Sequence, residues 1–208
     1  TCAYAAKGGH LEMLKWARAN GCPWSYWTLD NAWDYAAETG NFETLKWAHE
    51  NGCPWNEQLA TEHVANEGNV EILKWLREND CPCDWDFVRD DAVEFGDLQQ
   101  LKCLHATGCL CNERTCEHAA RYGQLEILKW LRENGCPWDE ETCAAAAEGE
   151  RGRQSDVVTR TAAARGIRLD ILKWAHENGC PWNVLTCRGA AMEGHLEMLT
   201  WARENGCP

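Results

Sequence analysis

The stretch His10-Leu11-Glu12-Met13-Leu14-Lys15-Trp16-Ala17-Arg18-Ala19-Asn20-Gly21-Cys22-Pro23 decides the fold. At a helical step, the apolar Leu11, Met13, Leu14, Trp16 and Ala17 cover more than half the circumference, and Glu12 and Lys15 fall together in the remaining stripe. A lone surface helix needs a narrower apolar face, so this one packs on a partner and on neighbours at both sides. Asn20-Gly21 then stops it, because glycine takes the left-handed C′ conformation at no Cβ cost. The same layout occupies 10–20, 42–51, 70–79, 98–107, 125–134, 169–178 and 196–205. It carries Trp16, Trp47, Trp75, Cys103, Trp130, Trp174 and Trp201 at the centre and closes on Cys22, Cys53, Cys81, Cys109, Cys136, Cys180 and Cys207. Successive closing cysteines lie 31, 28, 28, 27, 44 and 27 residues apart. A recurring period of this size means one supersecondary unit stacked on itself.

A second helix fits between copies. Ser25, Asn56, Asp84, Asn112, Asp139 and Asn183 recur shortly after each closing cysteine, and such side chains accept from the free N–H groups of a helix start. The residue before each cap is Trp24, Trp55, Cys83, Cys111, Trp138 or Trp182, and four places past it stand Leu29, Ala60, Val88, Cys116, Cys143 and Cys187. That apolar pairing is a hydrophobic staple. The helix closes on Ala-Ala-x-x-Gly, as at Ala5, Ala6 and Gly9 or Ala119, Ala120 and Gly123. Each repeat is therefore helix, tight turn, helix, short loop.

These residues resemble the ankyrin repeat family. Ala5 to Lys15 is similar to its Ala-Ala-x-x-Gly-His-x-Glu-Val-Val-Lys, Asn-Gly-Cys to its Asn-Gly-Ala, and Thr115 with His118 to its Thr-Pro-Leu-His, with Cys116 in place of the proline. Ankyrin repeats run about 33 residues, and most of the difference falls between Cys136 and Thr142, where the family has its β-hairpin finger. The resemblance, to a short Cys- and Trp-rich Gly-Cys-Pro-Trp variety, implies an all-α fold: an α-solenoid of stacked helix-turn-helix repeats with shortened or absent fingers. It also implies a non-catalytic scaffold for protein–protein interaction. A leucine-rich repeat shares the opening Leu-x-x-Leu spacing and the period, but Asn20 falls one place late and Lys-Trp-Ala-Arg forms helix rather than strand.

The chain carries a net charge of −13 over 208 residues. Nucleic-acid binding leaves a footprint of clustered cations, so the reading is of no nucleic acid and no membrane surface as partner, and of a monomer that binds another protein or peptide. No apolar run reaches the length of a membrane span. The chain lacks an initiator Met and stops at Cys207-Pro208 in mid-motif, so it is expected to be a piece of a longer array. Like cysteines of adjacent repeats should stand a helix spacing apart, too far to bridge. Free buried thiols in a reducing, intracellular setting (cytoplasm or nucleus) follow for the fourteen cysteines.

Recognition should sit where a repeat departs from the rest. Residues 25–37 make a first helix about one turn longer, with Tyr26, Trp27, Trp33, Tyr35 and the i, i+4 pair Asp30 and Asp34. Aromatic and acidic groups together suit a protein contact. The other departure is the 44-residue interval, with an insertion at about 142–158 preceding Thr159. There Arg151, Arg153, Arg160, Arg165 and Arg168 form a basic island that suits an acidic peptide. Candidate contacts are Tyr26, Trp27, Asp30, Asp34 and Trp85, then Arg151 and Arg153, while the helix-two tryptophans are structural.

No catalytic, cofactor or metal residue is assigned. Cys81, Cys83, Cys109 and Cys111 suggest a four-thiolate zinc site, but Cys-x-Cys is tighter than the usual ligand spacing and all four fit packing columns. His49, His105 and His176 share one position and read as a solvated column. His63 and His118 have no fixed partner. No His-Glu-x-x-His, phosphate loop or Gly-x-Ser-x-Gly elbow occurs. The alternative from another class is a thiol-rich metal-binding or redox protein.

Overall fold

The computed structural model describes residues 1–25, 27–39, 42–55, 70–149 and 162–208. Among them are thirteen helices and no strand. In chain order these are α1 Cys2–Lys7, α2 Leu11–Ala19, α3 Thr28–Thr39, α4 Glu43–Glu50, α5 Val70–Glu78, α6 Trp85–Glu94, α7 Leu98–Ala106, α8 Glu113–Arg121, α9 Leu125–Glu133, α10 Glu140–Glu148, α11 Ala162–Glu177, α12 Val184–Met192 and α13 Leu196–Glu204. The chain is all-α, an α-solenoid of stacked helix pairs. It divides into two compact units, residues 1–89 with 102–109, and 90–101 with 110–208. In the first, α1 pairs with α2 and α3 with α4, while α1 stacks on α3 and α2 on α4. In the second, α8 pairs with α9 and α12 with α13, while α10 stacks between α8 and α12.

Local chemistry sets each repeat. Asn112 accepts from the Thr115 N–H at 3.2 Å in a reciprocal capping box, Asp139 caps α10 through the Glu141 N–H at 3.1 Å, and Asn183 caps α12 through the Leu185 N–H at 2.7 Å. At the other end, Cys136 N–H bonds back to the Leu131 carbonyl and Gly135 N–H to that of Arg132, with Gly135 at φ +78. This is the Schellman stop read from Asn-Gly-Cys. The asparagine adds a bond of its own: Asn134 Nδ2 donates to the Trp130 carbonyl at 2.8 Å, and Asn20, Asn51, Asn79, Asn178 and Asn205 repeat it.

The fully buried column of helix two is not the tryptophan. It is the leucine two places earlier (Leu14, Leu45, Leu73, Leu101, Leu128 and Leu172) with the Ala or Leu three places on (Ala17, Ala48, Leu76, Leu104, Leu131 and Ala175). The intervening tryptophans are half-buried at 47, 75, 130, 174 and 201, and Trp16 is 66% exposed. The reason is a ladder between repeats. The Cys-Pro-Trp tryptophan that joins two repeats, just before the cap, packs on the helix-two tryptophan that follows: Trp24 on Trp47, Trp55 on Trp75, Trp138 on Trp174 and Trp182 on Trp201, with centroids 5.8–6.2 Å apart.

The sixth repeat departs from the sequence reading. Thr142 to Glu148, expected at the start of the insertion, belong to α10, which takes the place of helix one directly after Trp138 and Asp139. The extra chain follows Gly149. No tight turn separates the two helices here: α11 runs unbroken through Gly166. Aligned on Leu125 and Leu169, Ile167 stands where Gly123 takes φ +79, and a β-branched residue there cannot turn the chain.

Candidate functional site

Helix α3 carries the main candidate surface. It has twelve residues where α8, α10 and α12 each have nine, the extra turn anticipated from sequence. The Trp27 carbonyl accepts the Asn31 backbone N–H at 3.0 Å and the Asn31 side chain at 2.8 Å, so this residue opens the helix. Trp27 is 55% exposed. Asp30 and Asp34 lie three and seven positions on, which puts all three on one helical face. Asp30 is half-buried and Asp34 exposed. The other aromatics turn inward: Trp33 is buried, and the Tyr35 ring fills the space a Cβ on Gly9 would need. The extended helix thus splits its aromatic side chains between core and solvent.

The remaining sequence candidates fare differently. Tyr26, Arg151, Arg153, Arg160 and His63 lie outside the described residues, as does most of the inserted chain. Trp85 is half-buried beneath the Arg77 guanidinium, 5.1 Å from the ring centroid. Arg18 and Arg132 cover Trp24 and Trp138 the same way at 4.3 and 4.1 Å. Trp85 thus lies on α6 under an arginine, away from the α3 helix that carries Trp27. Arg168 is a correction to the basic island. It is only 8% exposed, its guanidinium lies where a side chain on Gly149 would go, and it offers no surface charge.

The histidine column is also corrected. His176 stacks on Trp182 at 3.8 Å and meets Trp201 edge-on at 5.8 Å, and His49 lies between Trp55 and Trp75 at 4.8 and 5.6 Å. These imidazoles share the position at which other repeats place the ring-covering arginine. They are rungs of the ladder, not solvated groups. The lysine stripe is as read: Lys15–Glu12, Lys46–Glu43 and Lys129–Glu126 pair at 2.7, 3.3 and 2.8 Å.

His118 acquires the partner that sequence could not supply. Asp90 Oδ2 lies 3.6 Å from its Nδ1 and 3.5 Å from the Arg114 guanidinium, whose Nε donates to His118 Nε2 at 3.3 Å. Burial holds the imidazole below its ordinary pKa, and Asp90 opposes that only in part. The His118 Nε2 is thus occupied by the arginine. The cluster fastens α6 to α8. A cleft of about 350 Å³ between α11 and the start of α13 includes His195 and Glu197 in its lining.

The thiols are organised in a way the column argument missed. Closing cysteines fasten the end of a repeat to its beginning: Cys136 Sγ donates to the Asn112 carbonyl at 3.3 Å, Cys180 to that of Asp139 at 3.3 Å and Cys207 to that of Asn183 at 3.4 Å. Each also meets the cysteine four places past that cap, with Cys116 Sγ and Cys136 Sγ 3.4 Å apart. Cys143 bonds Cys180 and Cys187 bonds Cys207 in the same places. Burial and the neighbouring thiol push Cys207 up to about 11, and burial, with a smaller contribution from Cys2, does the same for Cys53. Such thiols stay protonated at neutral pH. Among the described residues, no group of three or more His, Cys, Asp or Glu side chains is placed to hold a metal ion. Among them, too, no helix is long and apolar enough to cross a membrane.

No family model matches the chain, and no curated protein does. Among solved structures it is similar to the pentatricopeptide repeat protein PPR10 from maize, at 14% identity and a TM-score of 0.36. That likeness covers 100% of this chain and 38% of that one, so the chain spans well under half the length of its structural neighbour.

Proposed function

We propose that the chain is a non-catalytic, ankyrin-like repeat scaffold that binds another protein, and that the exposed face of α3 makes the contact. The observation that carries this reading is Trp27, a large ring 55% exposed on the lengthened first helix, with Asp30 and Asp34 along the same face. The described first helices α8, α10 and α12 are nine residues long and lack this extra turn. A tryptophan beside two carboxylates suits a partner segment with an apolar anchor flanked by Lys or Arg. The helix is held by its neighbours before the partner arrives, so little ordering entropy is lost on docking. The ankyrin assignment rests on Ala-Ala-x-x-Gly-His, the helix–turn–helix order and the Asn-Gly stop.

The test is selection of binding peptides from a random library against the whole chain, followed by titration. The selected peptides should be rich in Lys and Arg around an apolar residue. The triple variant Trp27→Ala, Asp30→Asn, Asp34→Asn should bind them at least about tenfold more weakly, as expected for loss of an interface anchor. Its thermal midpoint should stay close to the parent's. Peptides that bind parent and triple variant equally well remove α3 from consideration.

A further inference from the structure

The fifth repeat differs from its neighbours in carrying three cysteines at three interlocking positions: Cys111 before the cap, Cys116 four places past it and Cys136 at the close. Cys136 Sγ lies 3.4 Å from Cys116 Sγ and is hydrogen-bonded to Cys111 as well. Cys116 is wholly buried and Cys136 nearly so, at 0% and 4% exposure, while Cys111 is partly open to solvent. The three sulfurs therefore run from the surface inward with Cys136 in the middle. In the seventh repeat the residue corresponding to Cys111 is Trp182, and its ring packs against the cluster that holds Cys187 and Cys207. Trp138 stands at the same position before Cys143 and Cys180. A sulfur thus stands where Trp24, Trp55, Trp138 and Trp182 place an indole, as Cys83 also does in the fourth repeat, which has Val88 rather than a cysteine four places past its cap.

We propose that the fifth repeat is an oxidation site, in which a hydroperoxide oxidises Cys111 and the oxidation passes inward to leave a disulfide between Cys136 and Cys116. The Cys111 sulfur attacks the peroxide oxygen, the O–O bond breaks, and Cys111 becomes a sulfenic acid with loss of one water (of one alcohol, for an organic hydroperoxide). The Cys136 sulfur then attacks the Cys111 sulfur. Hydroxide leaves and takes the Cys136 proton, giving a second water and a Cys111–Cys136 disulfide. Finally Cys116 attacks Cys136 by thiol–disulfide exchange, and Cys111 is released as a thiol. The net change is two thiols and one hydroperoxide going to one disulfide, one water from the peroxide's far oxygen (or alcohol) and one further water, with two electrons moved from sulfur to oxygen. The hydrogen bond with Cys111 draws the Cys136 thiol down, but the contact with Cys116 and burial outweigh it and push the group up to about 12. Access makes Cys111 the entry, since it alone of the three sulfurs is partly open to solvent.

The experiment exposes the whole, reduced chain to limiting hydrogen peroxide, blocks free thiols, and maps disulfides by mass spectrometry after digestion without reductant. The Cys111–Cys136 link should appear first and Cys116–Cys136 should replace it, about tenfold faster than any link forms in the Cys143–Cys180 or Cys187–Cys207 pairs, because reactivity follows access. Cys111→Trp installs the residue that Trp138 and Trp182 supply in the sixth and seventh repeats and so keeps the fold, which circular dichroism verifies. It should slow the Cys116–Cys136 link about tenfold for the same reason. Cys136→Ser should leave Cys111 as a sulfenic acid that dimedone traps, with no link to Cys116. The proposal is overturned if the inner disulfide forms as fast in Cys111→Trp as in the parent, if the fourteen cysteines oxidise without preference, or if only links between chains appear.

Discussion

The most searching test of the stacked-ring account is a double-mutant cycle on Trp138 and Trp174. Trp138 leaves the loop after α9 and meets Trp174 on α11, with centroids 5.8 Å apart and planes at 69°. Pairs of this geometry contribute about 0.5–1.5 kcal/mol beyond the area they bury. Trp174 is half-buried, so Trp174→Ala takes roughly 120 Å² of apolar surface from the interior and costs about 3 kcal/mol. Trp138→Ala gives up similar packing and also the Arg132 guanidinium 4.1 Å above its ring, worth about 0.5–1 kcal/mol. The double variant should be less damaging than the sum of the singles by about 1 kcal/mol, since the ring–ring contact is lost only once. The readout is urea denaturation of the whole chain followed by far-UV circular dichroism. Trp16→Ala, at an exposed ring, serves as control and should stay within about 0.5 kcal/mol. Additivity of the pair within about 0.3 kcal/mol would refute the reasoning: the rings would then be packing independently, and the contact between repeats would have to come from the leucine column alone.

Three further outcomes follow from the same coordinates. Leu128→Ala, at a wholly buried position of helix two, should cost about 2–5 kcal/mol in urea unfolding, and a near-neutral result would displace the leucine column as the core. Asn134→Ala removes the bond to the Trp130 carbonyl and should lower stability by about 0.5–1.5 kcal/mol, measurable as a shift in midpoint with an unchanged slope. Burial holds His118 below its ordinary pKa of 6.5 in the folded chain, so on acidification the unfolded chain takes up a proton that the folded one refuses. Stability is then complete above about pH 6.5 and falls as the pH drops through the folded value. Melting temperatures across that range should decline less in His118→Gln, and parallel curves would show that Asp90 governs the group instead.

Much of this protein is local and was therefore legible in its residues. Caps at Asn112, Asp139 and Asn183 act over two or three positions, the Asn134-Gly135-Cys136 stop over five, and the apolar arc of helix two over its own turns. Each is decided by backbone geometry that neighbouring residues set without reference to the rest of the chain. The extra turn of α3 was countable for the same reason. The fused helix α11 was also visible in principle, since Gly166 stands one place early and leaves Ile167 where a left-handed residue is required.

What the residues did not contain is the meeting of unlike columns. Cys116 touches Cys136 across 20 positions of chain, and Trp138 reaches Trp174 across the inserted segment. Neither contact lies within one helix. Such contacts depend on how far one helix pair is shifted and rotated against the next, which packing volume sets and local periodicity does not. The sequence by itself determined helix, cap, turn and repeat. Only the tertiary structure decided that the leucines rather than the tryptophans are the sealed core, that histidines stand between indoles, that Arg168 is buried, and that three thiols of one repeat lie in series.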